Sequence, residues 1–202
     1  MKVIVIGATG IIGNAISQHL RTNGHEVIPV SRSTQPAMDL ENPKSINTLF
    51  SEVGAVDAII CAAGNASFGA FNQLSDEDFQ LGLDSKLMGQ VNVCREGLRI
   101  LNPNGKLILT GGIFAHNPWP NTSNIAMVNA ALEGFVKALA LEMPDDQKVS
   151  VVHPPFVRES AISMGMEGDP HPPALEVALA YIEALDRDAN GEAIYVQGYE
   201  TE

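Results

Sequence analysis

Residues 2–13 read KVIVIGATGIIG, a short β-branched run that passes directly into a turn with three glycines. KVIVI (2–6) is typical of a buried strand, and the residues after the turn have helical spacing. Gly7, Gly10 and Gly13 allow a tight turn and a close approach of the backbone to a pyrophosphate, which the positive end of the next helix attracts. A strand before the glycines and a helix after them favour dinucleotide binding over a purely structural turn.

Outward from this stretch, strand-like and helical patterns alternate along the chain. Seven strands are predicted, at 2–6, 25–30, around Met38, and at 56–64, 106–110, 148–152 and 192–196. Helices are predicted between them, at 11–21, 44–53, after Ser75, and at 85–101, 123–142 and 174–187. Parallel strands need covering crossovers, so the pattern predicts an α/β fold with helices on both faces of a parallel sheet. We found no repeat or linker and predict that 1–202 form one domain.

The composition and net charge restrict the classes of partner that this protein can bind. Apolar residues make up 45% of the 202 residues, charged residues 18%, and the formal net charge is −12. Because this charge repels phosphate backbones and anionic lipid surfaces, we expect neither nucleic acid nor a membrane as a partner. No apolar run approaches the ~20 residues of a membrane span, and the first residues are unlike a signal peptide. We therefore expect a cytoplasmic protein.

The two cysteines, Cys61 and Cys94, lie in apolar or helical surroundings and lack the spacing of metal ligands. We interpret them as reduced thiols of the core. No metal site is predicted.

The end of the second strand favours NADP over NAD. An NAD site would place an acidic residue there to bind the ribose diol. This strand ends in Val30-Ser31-Arg32-Ser33, with no acid before Asp39. A guanidinium and two hydroxyls suit a 2′-phosphate instead. The alternative is a solvated surface arginine.

The chain resembles the short-chain dehydrogenase/reductase family over nearly its full length. The resemblance rests on GATGIIG (7–13), Asp39-Leu40, AAG (62–64), ALEGFVKALALE (131–142), Pro154 and GEAIYVQG (191–198). It implies a Rossmann-type doubly wound sheet of order 3-2-1-4-5-6-7, with the cofactor across the carboxyl ends of the strands. It also implies a homodimer or homotetramer paired through the two long helices. The cofactor-binding residues predicted from the motifs and the resemblance are Gly7, Thr9, Gly10, Ile11, Ile12, Gly13, Ser31, Arg32, Ser33, Asp39, Leu40, Ala62, Ala63, Gly64 and Pro154.

All four catalytic positions of that family are substituted in this chain. The family uses an Asn, a Ser, a Tyr and a Lys, of which the Tyr transfers the proton. Alignment through ALEGF places Ile125 at the Tyr position, Asn129 at the Lys position and Gly112 on or beside the Ser position. The Asn position falls on Lys86. The three tyrosines all lie near the C-terminus, and none has a Lys four residues later.

Lys86 and Asn129 are hypothesised to be a reciprocal exchange that keeps one ammonium and one amide in the same pocket. A partly desolvated Lys86 could donate a proton, or it could hold the nicotinamide ribose or an anion. The alternatives are an exposed helix lysine for Lys86 and a core amide for Asn129. His116 follows the fifth strand and is a further candidate proton carrier, with plain surface exposure as its alternative. Residues 153–173 are either a surface loop or a lid.

Two functions therefore remain open. The first is an NADP-dependent oxidoreductase that acts on an unidentified small carbonyl or alcohol with a non-standard proton donor. The second is a catalytically inactive NADP-binding sensor or protein-interaction module. The complete replacement of the family's catalytic residues favours the second, and the intact cofactor motifs favour the first.

Overall fold

The computed structural model describes residues 1–200, which form a parallel sheet with helices on both faces. The strands are β1 (Lys2–Ile6), β2 (Glu26–Val30), β3 (Val56–Cys61), β4 (Leu101–Thr110), β5 (Lys148–His153) and β6 (Glu192–Tyr195). The helices are α1 (Ile11–Thr22), α2 (Pro43–Val53), α3 (Asp76–Leu81), α4 (Gly89–Gly97), α5 (Ser123–Leu139), α6 (Arg158–Ser163) and α7 (Ala174–Asp186).

The strand order is β2-β1-β3-β4-β5-β6, and every pairing is parallel. The predicted α/β class and the order of these strands are confirmed. The sheet has six strands in place of the predicted seven, because the residues around Met38 form only an isolated bridge between Ser31 and Ala37. Pro36 interrupts this short segment, and Thr34 Oγ1 accepts the Ser31 N–H at 2.7 Å, so a turn replaces the edge strand.

The core has one layer on each side of the sheet. On one side, Phe50 of α2, Val93 of α4 and Leu132 of α5 pack against alternate residues of the strands. On the other side, Ile16 of α1 and Tyr181 of α7 do the same. Both faces of the sheet are thus buried, which explains the nearly continuous apolar runs of its strands.

The long helix predicted at 85–101 differs in the structure. Helix α3 begins with a capping box, in which Ser75 Oγ accepts the Asp78 N–H at 3.3 Å and the Asp78 carboxylate accepts the Ser75 N–H at 3.0 Å. It continues through a π-helical segment, Gly82–Met88, into α4. Such segments are frequent at functional sites because they redirect side chains within a helix.

The remaining differences are local. Strand β4 begins at Leu101, five residues before its predicted start, with a register shift before Lys106. Helix α5 ends at Leu139, and α6 lies inside the segment 153–173 that lacked a predicted element. No helix in residues 1–200 combines the length and apolarity that a bilayer span requires.

Candidate functional site: the cleft at the carboxyl ends of the strands

A cleft of about 450 Å³ opens where β1, β2 and β3 end. Most residues predicted to bind the cofactor line it, namely Gly7, Thr9, Gly10, Ser31, Arg32, Ser33, Asp39, Leu40, Ala62, Ala63 and Gly64. Ile11, Ile12, Gly13 and Pro154 are not among its lining residues. Five further residues line it that were not predicted, namely Ile6, Met38, Glu41, Asn65 and Ser85. Asn65 directly follows the AAG motif, and its N–H donates to Ser85 Oγ at 3.1 Å.

The glycine turn divides into a structural and a ligand-facing part. Gly7 has a φ of +85°, and a Cβ there would lie 2.4 Å from the Ala62 carbonyl oxygen. A Cβ on Gly13 would lie 2.2 Å from the Gly7 carbonyl oxygen, so this glycine allows α1 to pack on the turn. Gly10 faces the cleft, and α1 begins there without a side-chain cap or an acid in its first turn. The free N–H groups of α1 therefore fit an anionic pyrophosphate.

The turn after β2 presents Arg32 to the cleft. The Ser33 N–H donates to Ser31 Oγ at 3.1 Å, and the two serine hydroxyls are 3.2 Å apart. Arg32 is exposed and forms no ion pair within residues 1–200. A cation without a protein partner, flanked by two hydroxyls, suits a phosphate group at this end of the cleft.

Asp39 and Leu40 form another wall of the cleft. The Asp39 N–H donates to Ser45 Oγ at 3.0 Å, and Asp39 Oδ1 accepts the Glu41 N–H at 3.1 Å. Leu40 is buried against Gly89, where a Cβ would lie 2.6 Å from Leu40 Cγ. The segment thus anchors to α2 and α4 while it faces the cleft.

Lys86 lies beside this cleft, in the π-helical segment. Gly64, with a φ of +130°, packs directly on it, since a Cβ on Gly64 would lie 2.9 Å from Lys86 Cα and 3.1 Å from Lys86 Cδ. Burial lowers the pKa of the Lys86 ammonium to about 8, although the Cys61 thiol opposes this shift. The ammonium forms no ion pair within residues 1–200.

The side chain of Asn129 packs directly against Gly112. A Cβ on Gly112 would lie 2.6 Å from Asn129 Nδ2, so the amide fills the place where the family's serine side chain would begin. Asn129 is 1% exposed, and its Oδ1 lacks a hydrogen-bond partner in residues 1–200. Ile125, at the Tyr position, is buried with Ile113 and Phe114. This part of the site is therefore apolar where the family has its proton donor.

The hydroxyl of Thr110 forms hydrogen bonds within the protein. It lies 2.6 Å from the Cys61 carbonyl oxygen, to which it donates, and it accepts from the Tyr181 hydroxyl at 2.8 Å. Burial raises the pKa of Tyr181, so this phenol stays protonated. Neither group is available for acid–base work at the cleft.

The structure places His116 away from the cofactor cleft, against α5. Its Nε2 lies 2.6 Å from Glu133 Oε2, and Lys137 Nζ lies 2.6 Å from Glu133 Oε1. Burial raises the pKa of Glu133, but hydrogen bonds from Lys137 and His116 outweigh it and hold that pKa below its usual value. His153 is fully buried, its Nε2 lies 3.5 Å from the same oxygen, Glu133 Oε2, and burial lowers its pKa. The sequence contained no local signal for this cluster, because its members come from three elements.

An aromatic cluster covers the end of the site above Ile125. The ring centroids of Phe114 and Trp119 are 4.9 Å apart, and those of Trp119 and Phe156 are 6.0 Å apart. Phe68 and His171 complete it, with edge-on contacts to Phe114 and Phe156. Loops from three strand ends thus form an apolar wall.

Comparisons with known proteins agree with this geometry. A family model described as enoyl-(acyl carrier protein) reductase matches residues 7–184. The chain is 27% identical to a 3-ketodihydrosphingosine reductase of Bacteroides thetaiotaomicron over 75% of its length, and it spans 62% of that protein. It is 26% identical to a 3-oxoacyl-[acyl-carrier-protein] reductase of Rickettsia typhi, over 77% of the chain and 72% of the relative.

Two solved structures are similar over almost the whole chain. The crystal structure of the protein lin1944 from Listeria innocua has a TM-score of 0.90 and 33% identity, over 97% of this chain and 99% of the other. A small-chain dehydrogenase in complex with NADPH has a TM-score of 0.87 and 27% identity, over 98% and 97% of the two chains.

Proposed function

Because the chain belongs to the short-chain dehydrogenase/reductase family of oxidoreductases, we propose that it is an NADP-dependent reductase or dehydrogenase whose proton donor is not a tyrosine. Its substrate would be a small carbonyl compound or the corresponding alcohol. The observation that carries this proposal is the cleft itself, in which the glycine turn, the Arg32 turn and the Asp39-Leu40 wall converge.

Arg32 supports NADP in preference to NAD. The turn after β2 offers a free guanidinium and two hydroxyls to the cleft, and no carboxylate lies between the end of β2 and Asp39. A ribose diol would find no acidic acceptor at the end of β2, whereas a 2′-phosphate would find a charge-assisted donor. The similar structure that contains NADPH agrees with this preference.

Lys86 is the proposed proton donor. NADPH, when bound, supplies the hydride, so the chain has to position the carbonyl and provide one proton. Lys86 lies against Gly64 at the cleft, and its lowered pKa, about 8, suits acid–base exchange near neutral pH. Asn129 Nδ2 lies beside the position of Gly112, and the exchange of Lys86 and Asn129 within one pocket is part of this proposal.

An NADP-binding protein without turnover is the second candidate. The observation in its favour is the packing of Ile125 with Ile113 and Phe114, which leaves no hydroxyl at the family's proton-donor position. Such a protein would bind NADPH and leave it unoxidised.

A nicotinamide fluorescence titration with NADPH and NADH, followed by a panel of aldehydes, ketones and quinones, separates these functions. We expect NADPH to bind more tightly, Arg32→Ala to lose that preference, and at least one carbonyl compound to oxidise NADPH. Tight binding without oxidation by any compound favours the second candidate. If neither nucleotide binds, both candidates are wrong.

Two variants of Lys86 test its role. We expect Lys86→Arg to retain NADPH binding and to lose about 10²–10⁴ in turnover, because the guanidinium keeps the charge but cannot release a proton. The ammonium is the donating form, so carbonyl reduction by the wild type should decline as the pH rises through about 8. If Lys86→Met reduces carbonyls at the wild-type rate with the same pH profile, the proton comes from another group.

A further inference from the structure

We propose that His116, Glu133 and His153 form a binding site for a divalent transition-metal ion of the zinc type, outside the cofactor cleft. Each residue offers one ligand atom, and the three atoms all lie within 4.8 Å of one another. Two imidazole nitrogens and one carboxylate oxygen are a ligand set that zinc takes in proteins. No metal site is predicted from the sequence, because the ligands come from three separate elements: the loop after β4, α5 and the end of β5.

The unpartnered atom of His153 carries the argument. His153 is 0% exposed, and its Nε2 has no hydrogen-bond partner in residues 1–200. That atom points at Glu133 Oε2 from 3.5 Å, which is too long for a hydrogen bond of ordinary strength. A buried nitrogen without a partner costs free energy, and a metal ion between it and the carboxylate would satisfy both.

The backbone of Gly112 prepares His153 for this role. His153 Nδ1 lies 2.9 Å from the Gly112 carbonyl oxygen, to which it donates in one tautomer, and 3.1 Å from the Gly112 nitrogen, whose N–H it accepts in the other. In the first tautomer the lone pair of Nε2 faces Glu133, an unfavourable arrangement of two acceptors that a cation reverses. A metal ion at this place would select that tautomer. A backbone carbonyl that holds the second ring nitrogen is a common way to orient a histidine ligand.

The separations from Glu133 Oε2 to the two histidine nitrogens are close to those of a zinc site. With zinc–ligand bonds of about 2.0–2.2 Å, tetrahedral ligand atoms lie about 3.3 Å apart. The 3.5 Å separation of His153 and Glu133 already matches this value. His116 Nε2, at 2.6 Å from Glu133 Oε2, has to move outward by roughly 0.7 Å. The His116 side chain is 35% exposed, so it borders solvent.

Glu133 can keep its other partner when the ion binds. Lys137 contacts Oε1, whereas both histidines face Oε2. The exposed side of His116 leaves the fourth position to solvent. The ion would tie the loop after β4 to α5 and β5, and this loop carries Trp119, the one tryptophan of the chain.

Zinc binding to purified apo-protein tests the proposal, by equilibrium dialysis with protein and zinc at equal micromolar concentrations. We expect one ion per chain, a change in Trp119 emission, and visible d–d absorption when cobalt replaces zinc. His116→Ala and Glu133→Gln should each lower the affinity by more than about 100-fold, because even residues that only orient a ligand are worth 10–100-fold. Circular dichroism shows whether each variant keeps the fold.

His19→Ala is the matched control, since it removes a histidine of α1 far along the chain from this cluster and should bind zinc like the wild type. The proposal is overturned if the wild type binds no zinc under these conditions. It is also overturned if either cluster variant, folded by circular dichroism, retains the wild-type affinity. None of these readouts depends on NADPH, so the metal site and the proposed function are tested independently.

Discussion

At the scale of single residues, Gly10 and Gly13 differ in what a side chain would meet. A Cβ on Gly10 would contact only the Gly7 carbonyl oxygen, at 3.3 Å, and its φ of −78° suits any residue. A Cβ on Gly13 would lie 2.2 Å from that oxygen and 2.7 Å from the Gly7 carbonyl carbon, which are backbone atoms that cannot turn away. One glycine therefore leaves space for a ligand, and the other allows the helix to pack.

Alanine at each position separates these roles. We expect Gly10→Ala to lower the free energy of unfolding by about 1 kcal/mol or less and to weaken NADPH binding more than tenfold, because the methyl group faces the pyrophosphate. Gly13→Ala should cost about 3 kcal/mol or more through overpacking. Chemical denaturation and nicotinamide fluorescence measure the two effects. Equal stabilities of the two variants would contradict the packing argument, and unchanged binding by Gly10→Ala would contradict the placement of the cofactor.

At the scale of elements, the side chain of Gln90 joins α4 to the end of β4. Its Nε2 donates to the Thr110 carbonyl oxygen at 2.9 Å, and its Oε1 accepts the Thr110 N–H at 2.8 Å. Nε2 also lies 3.1 Å from the Lys86 carbonyl oxygen. Gln90 is fully buried, so this amide holds both the strand end and the π-helical segment that carries Lys86.

We expect Gln90→Leu to lower the free energy of unfolding by about 1–3 kcal/mol, because it leaves the buried N–H and carbonyl of Thr110 without partners. Gln80→Ala is the control, since Gln80 bonds Asp84 at 2.8 Å on the exposed side of the same helix, and such a change typically costs less than about 0.5 kcal/mol. Urea denaturation of both variants measures the difference. A loss of stability in Gln80→Ala equal to that in Gln90→Leu would show that the Thr110 contacts contribute nothing specific.

The elements that the sequence predicts correctly are those whose signal is local. The apolar runs of β1, β3 and β5 and the caps of α2 and α3 have such signals, with Asn42 Oδ1 accepting the Lys44 N–H at 3.1 Å ahead of Pro43. The predicted strand around Met38 is wrong because Pro36 has no N–H for strand pairing. In addition, the Thr34 hydroxyl accepts the Ser31 N–H and bonds the Pro36 carbonyl oxygen, which stabilises a turn. The π-helical segment has no local signal, and its first residue, Gly82, packs closely on Asn124 of α5, which is distant in the chain.

At the scale of the whole molecule, the negative charge and the apolar helix faces have opposite effects on self-association. Leu81, Met88 and Met127 are exposed on the α3–α4 helix and on α5, where the family resemblance implies pairing between subunits. The formal net charge of −12 makes two copies repel each other. The expected homodimer or homotetramer should therefore assemble more tightly as salt screens this repulsion.

Sedimentation at low and moderate ionic strength checks this expectation. We expect a dimer or tetramer whose dissociation weakens with added salt, and Met127→Glu should shift the equilibrium toward monomer. Leu141→Glu is the control, because Leu141 is the most exposed apolar side chain and lies beyond the end of α5. A monomer at every ionic strength, or equal effects of both variants, would contradict pairing through these helices.

The two ends of the candidate site differ in how far the sequence predicts them. The cofactor end is built from several short stretches, within each of which the lining residues are neighbours in the chain, so short motifs identify most of its lining. The reaction end depends on contacts between distant elements, such as Gly64 with Lys86 and Gly112 with Asn129. The contact of His116 with Glu133, outside the cleft, likewise follows only from the folded chain.

The contact between Gly112 and Asn129 also constrains the order in which this protein could gain or lose the family's catalytic residues. A serine at 112 would place its Cβ 2.6 Å from Asn129 Nδ2, so the serine requires this amide to move. We therefore expect residues 112 and 129 to be epistatic in any path toward the tyrosine mechanism. A library that varies the two positions together should recover more active combinations than one that varies them singly.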